Sequence, residues 1–203
     1  MAATVDALLP LSFLEAVRTI DTPEEDLDAE YVPELRNKKL GLSDTVYAQI
    51  RRYTDAGKRS ARIPHDEAVG LARLIGRRPD AEEVFRAAGR HLANVSYQTI
   101  SPYLRRTMRQ LPAMLARPLA LRAARRLSRR YLDGRVTRVG ASLLLEVKSP
   151  VSLDTAPRAL GCTYYEAALR ELMQLLTGSA GGVEHVRCAS RGEGSDQWKA
   201  EWR

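Results

Sequence analysis

Only two of the 203 residues are cysteine, Cys162 and Cys188, too few for the disulfide framework of a small secreted domain. No apolar run approaches the ~18 residues that span a bilayer. The N-terminus, MAATVDALLPLSFLEAV, lacks a basic leader region and carries Asp6 and Glu15, which argues against a signal peptide. These absences point to a cytoplasmic protein. Lysine is scarce as well, at five of the 32 basic residues, and such an Ala/Arg-rich composition fits a bacterial source. The chain has no GxGxxG, no GxxxxGK[ST], no HExxH and no GxSxG, so no nucleotide-cofactor, zincin or hydrolase signature is present. TGSAGG is glycine-rich but precedes a strand and lacks a lysine. His65, His91 and His185 are scattered, with no nucleophile beside them in sequence. The expectation leans away from an enzyme.

What is present is enough for a core. Hydrophobic residues make up 44% of the chain, and the length suits one domain, or one domain with a helical extension. The net charge of +7 hides a segregation. Residues 1–34 hold nine acids and one base, Arg18, whereas the rest carries 31 bases and 16 acids. Two readings follow. Either the acidic arm neutralises the basic body within the molecule, or the body meets an anionic partner.

The hydrophobic periodicity is helical first. Ser12 and Glu15 form a capping box that would open a short helix bearing Phe13, Leu14, Val17 and Ile20. Ser43 can cap a helix through Ala56, and Asp66 can start another that ends at Gly76. Asp80 and Glu83 suggest a further capping box, before a stripe of Phe85, Ala88, Leu92 and Val95. Gly89 lies inside that stripe, where it costs ~1 kcal/mol relative to Ala. It implies close approach by another element or by a ligand.

Next comes PLALRAARRLSRRYLDG, read as a helix from Pro118 to Gly134. At 100° per residue, Arg122, Arg125, Arg126, Arg129 and Arg130 share one arc opposite an apolar one. This face could meet an anionic membrane surface or an acidic protein, making the protein peripheral to a membrane. No nucleic-acid-reading motif accompanies the charge, which disfavours nucleic acid. The pattern then turns strand-like over RVTRVGASLLLEVKSP. TYYEAALRELMQLLTG reads as a helix, and GVEHVRCASRGEGSDQWKAEWR as a hairpin with Trp198 and Trp202 on its last arm. The fold expected is α+β: a helical N-terminal half packed on a small antiparallel sheet, with a C-terminal strand, helix and hairpin.

From about Pro79 onward this order, together with the tail pattern C-x3-G-[D/E]-x2-C-x-aromatic, resembles the 4-vinyl-reductase-like domain. The pattern falls on Cys188, Gly192, Glu193, Asp196 in place of the second cysteine, and Trp198. The same superfamily holds TRAPP-type vesicle-tethering subunits and the effector-sensing domains of bacterial aromatic-responsive activators. The resemblance implies residues 1–60 as an acidic, helical extension and 61–203 as a ligand-binding domain. It implies non-catalytic binding, sensing or carriage of a hydrophobic small molecule, such as a tetrapyrrole intermediate. Two alternatives stand beside this: an accessory protein or reductase-like enzyme of bacteriochlorophyll biosynthesis, and a dimeric interaction module like the tethering subunits. The candidate ligand contacts are Phe85, His91, Tyr97, Tyr164 and Tyr165, which could equally fill the core. The resemblance also implies a zinc site on Cys162, His185, Cys188 and Asp196, all residue types that bind zinc. The alternative is that the two cysteines are small buried hydrophobes, with His185 and Asp196 exposed.

Overall fold

The computed structural model describes residues 3–22, 40–153, 155, 160–178 and 181–201. Most of the acidic connection, from residue 23 to 39, lies outside the described residues, as does Trp202. The fold is α+β. A short strand β1 (Thr4–Asp6) leads into α1 (Leu8–Asp21), followed after the connection by α2 (Asp44–Lys58). Then come β2 (Arg62–Pro64), α3 (His65–Gly76), α4 (Ala81–Gln98), α5 (Pro102–Gln110) and α6 (Ala113–Tyr131). The hairpin β3 (Arg135–Val139) and β4 (Ser142–Val147) precedes α7 (Cys162–Thr177). A second hairpin, β5 (Val183–Arg187) and β6 (Asp196–Glu201), ends the described chain.

β3, β4, β6 and β5 make one antiparallel sheet in that order, and β1 pairs separately with β2. The strand-like stretch after Gly134 is therefore two strands, turning at Gly140–Ala141 with Gly140 at φ 59°. β1 and β2 are too short for an alternating pattern to reveal.

Local rules hold at some helix ends and fail at others. Ser43 caps α2, its Oγ accepting from the Val46 N–H at 3.3 Å. Ser12 does not cap α1. The helix begins a turn earlier, the Leu8 N–H donating to Asp6 Oδ1 at 3.0 Å, and Ser12 is buried with its hydroxyl donating to the Leu9 carbonyl. Asp80 stands at the N-cap of α4 without capping it through its side chain; its carboxylate accepts from Arg78. α6 begins at Ala113 and not at Pro118, which lies inside it. A proline there leaves the Met114 carbonyl without its helical donor, but Met114 is exposed and water can supply one.

α4 crosses α7 at the centre. A Cβ on Gly89 would run into the Tyr164 carbonyl oxygen and lie 2.9 Å from the Ala168 nitrogen, so the glycine permits two helices to touch backbone to backbone. α1 packs on the other side of this pair. Phe13 meets Phe85 edge-on at 5.6 Å and tilts against Tyr164 at 4.8 Å, and the Ser12 and Tyr164 hydroxyls are 3.3 Å apart. Buried residues of the segment read as an extension belong to the same hydrophobic cluster as those of the sheet. At the far end of α1, Arg78 binds Asp21 through two bonds of 2.7 and 2.9 Å while also holding Asp80.

Candidate metal centre

Three separate pieces of chain bring Cys162, His185, Cys188 and Asp196 together. Each offers one ligand atom, and these atoms all lie within 4.8 Å of one another. Cys162 is the first residue of α7. Gly161 precedes it because a Cβ there would stand 2.6 Å from Ser152 Cβ and Thr155 Oγ1. Its N–H donates to Thr155 Oγ1 at 3.1 Å, fixing the entry to the helix.

His185 sits on β5 opposite Trp198, with a bulge just beyond it between His185 and Arg187. A bulge inserts one unpaired residue and re-aims the side chains near it. The imidazole lies flat on the indole, centroids 4.8 Å apart and planes 10° from parallel. That stack extends a ladder of rings running from Phe85 through Phe13, Tyr164 and Tyr165 to Trp198. The helical core therefore supports the histidine from beneath.

Cys188 directly follows β5, and the turn after it is held by two carboxylates. The Cys188 N–H donates to Glu193 Oε2 at 2.6 Å and the Ala189 N–H to Asp196 Oδ1 at 2.5 Å. Asp196, the first residue of β6, is 2% exposed. Its Oδ2 lies 3.7 Å from Cys162 Sγ and its Oδ1 3.6 Å from His185 Nε2. His185 Nε2 is buried with no hydrogen-bond partner. Burial first, then Asp196 and Cys188, hold the Cys162 thiol well above its ordinary range.

The arrangement fits a metal. A tetrahedral ion with bonds of ~2.0–2.3 Å sets its donors about 3.3–3.8 Å apart. The Cys162 and His185 contacts to Asp196 are of that length but use different carboxylate oxygens, and gathering one atom from each of the four residues needs shifts of about 1 Å. An orphaned imidazole nitrogen and a buried Cys162 thiol costly to ionise beside a carboxylate are both relieved by a divalent cation. The group can hold a metal ion. As the alternative reading from sequence expects, the two cysteines are buried, but Asp196 is not exposed and His185 is only partly so.

The other candidates are placed differently. Phe85, Tyr97, Tyr164 and Tyr165 are buried, the first and last two within the ring ladder and Tyr97 under the Arg105 guanidinium at 5.6 Å. His91 is half-buried on α4, and burial lowers its pKa, with Glu15 and Arg18 of α1 as opposing influences. None of the five lines the cleft of about 480 Å³ between α5, α6 and α7. That cleft has Met108, Leu111, Ala120 and Leu176 as apolar walls and Arg109 and Arg117 among its polar groups. A buried stripe looks the same in sequence whether it packs on another helix or on a ligand. The cleft walls come from three helices, and no local pattern marks them.

All five arginines of α6 from Arg122 to Arg130 are exposed, and Ala120, Ala123, Ala124, Leu127 and Tyr131 opposite them are buried. Among the described residues no helix is long and apolar enough to cross a membrane. No protein-family model, no curated protein and no solved structure matches the chain.

Proposed function

We propose that this chain is a non-catalytic binding module for a hydrophobic small molecule, its C-terminal hairpin fastened by zinc. The observation that carries the reading is the convergence of Cys162, His185, Cys188 and Asp196 at the positions where the resemblance to vinyl-reductase-like domains implies a metal. Two sulfurs, one nitrogen and one oxygen suit zinc better than the hard, oxygen-seeking cations. Four protein donors fill a tetrahedral ion and leave no position for substrate, the pattern of a structural centre. Bound there, zinc would supply a cross-link between the start of α7 and the hairpin.

The cleft between α5, α6 and α7 supports the ligand half of the reading. Its volume of about 480 Å³ suits a small organic molecule. Arg117 Nε is buried without a hydrogen-bond partner. A flat apolar ring system bearing carboxylates, as tetrapyrrole intermediates do, matches apolar walls with arginines beside them.

Protein purified without chelator tests both halves. About one equivalent of zinc per chain is expected by elemental analysis, and less than about a tenth ends the metal reading. Protoporphyrin or a phenol should raise the melting temperature, because a ligand bound only by the native state stabilises it by mass action. Organic extracts should contain a copurifying pigment or lipid. If extracts are empty and neither probe raises the melting temperature, the ligand reading fails.

A further inference from the structure

We propose that the exposed face of α6 docks on an anionic phospholipid surface, with Met114 and Leu115 entering the boundary between headgroups and acyl chains. The starting observation is where the helix begins. Because α6 starts at Ala113, its 19 residues run about 28 Å. At 100° per residue Met114, Leu115 and Pro118 fall on the same arc as the five arginines that follow. Met114 is 85% exposed and Leu115 60%, among the most exposed large apolar side chains of the described chain. One face of one helix is therefore apolar in its first turns and basic in the rest.

The charge around it chooses the partner. Residues 101–132 contain nine arginines and no acid or lysine. A second copy meeting this face about a two-fold axis would lay arginine against arginine, which is repulsive. Within the described residues, Arg130 lies 3.7 Å from Asp6, and Arg122, Arg126 and Arg129 have no acidic partner. A hollow of about 460 Å³ lies among Arg125, Arg126, Arg129 and Arg130, a seat of guanidinium groups for a phosphate. Beside it, Arg125 and Arg129 also line a groove with Arg135 and Lys148. The two acids of that groove are engaged elsewhere, Asp133 with Arg62 at 3.6 Å and Glu146 with the Ser195 hydroxyl at 3.2 Å. Basic charge with exposed apolar side chains on one face of a helix is what an interfacial helix presents to a lipid surface. A soluble phosphate does not account for Met114 and Leu115 together with the arginines.

The test is flotation of the full chain with phosphatidylglycerol-rich vesicles at low salt, with pure phosphatidylcholine vesicles beside it. Wild type should float with the first and not the second, and raised salt should weaken the binding. R126Q/R129Q should bind about tenfold more weakly or worse, from the loss of two cations near the surface. M114S/L115S keeps every charge and should lose at least half of the floated fraction. Both variants change exposed side chains, so unaltered melting temperatures confirm that folding is intact. The proposal is overturned if wild type stays at the bottom of the gradient, if it floats equally with phosphatidylcholine, or if M114S/L115S floats like wild type. Full release by millimolar glycerol phosphate would also overturn it, revealing a site for free phosphate. The outcome is independent of the zinc and cleft readings, since no residue is shared with the metal centre or the cleft.

Discussion

His185 lies flat on Trp198, 4.8 Å between ring centres, and its Nε2 rests 3.6 Å from the Asp196 carboxylate. The indole fixes the plane of the imidazole, so the nitrogen stays beside Asp196 and in reach of both cysteines. The same indole stacks on Tyr165 at 4.9 Å, which ties the metal centre to the helical core.

With zinc bound there as proposed, its removal should loosen the hairpin first. Chelator treatment is expected to lower the melting temperature by about 5 °C or more, with zinc restoring it. C188S and C162S should each bind zinc far more weakly and show little response to chelator. A melting temperature insensitive to chelator in protein shown to contain zinc would contradict the structural role.

Gly89→Ala should be strongly destabilising. The added methyl would meet the Tyr164 carbonyl and the Ala168 nitrogen, backbone atoms that cannot rotate away. Helix propensity favours alanine by ~1 kcal/mol, so overpacking must outweigh that gain. A net loss of about 1–3 kcal/mol in urea unfolding is expected. A variant more stable than wild type would show that α4 and α7 are not in contact here.

Arg78→Gln should cost about 3 kcal/mol. It leaves Asp21, whose side chain is 6% exposed, without its counter-ion. Asp21 still accepts from the Gly41 N–H at 2.7 Å, which limits the loss. The double variant R78Q/D21N should recover part of it. If R78Q alone matches wild type in urea, the pair does not anchor α1.

His91 has its pKa lowered, mainly by burial. A group whose folded pKa is depressed adds nothing to the pH dependence above its unfolded value of about 6.5. Below that, the unfolded chain takes up a proton that the folded chain resists. Stability should therefore fall as pH drops through the range from about 6.5 toward the lowered folded value, then level off. Urea midpoints of wild type and H91Q between about pH 7.5 and 5 test this. The midpoint of wild type should fall more steeply, and parallel curves would remove His91 as a cause.

The sequence by itself determined the α+β order, because periods of 3.6 and 2 residues are local consequences of helix and strand geometry. It marked Gly89 as a point of close approach and the arginines of α6 as one exposed face, for the same reason. Through a resemblance in spacing it proposed Cys162, His185, Cys188 and Asp196 as a group that could hold a metal. It could not show that they converge: Cys162 and Asp196 stand 34 residues apart and meet only when α7 and β6 pack together. Whether Phe85, Tyr164 and Tyr165 line a cleft or fill a core was open for the same reason, since periodicity reports that a face is buried and not what buries it. The start of α6 was also a tertiary matter. Proline marks a helix start in sequence, but an exposed first turn lets Pro118 sit inside the helix, and only then do Met114 and Leu115 join the basic face. Local rules govern what a segment can become, and packing between distant segments decides which side chains end up together.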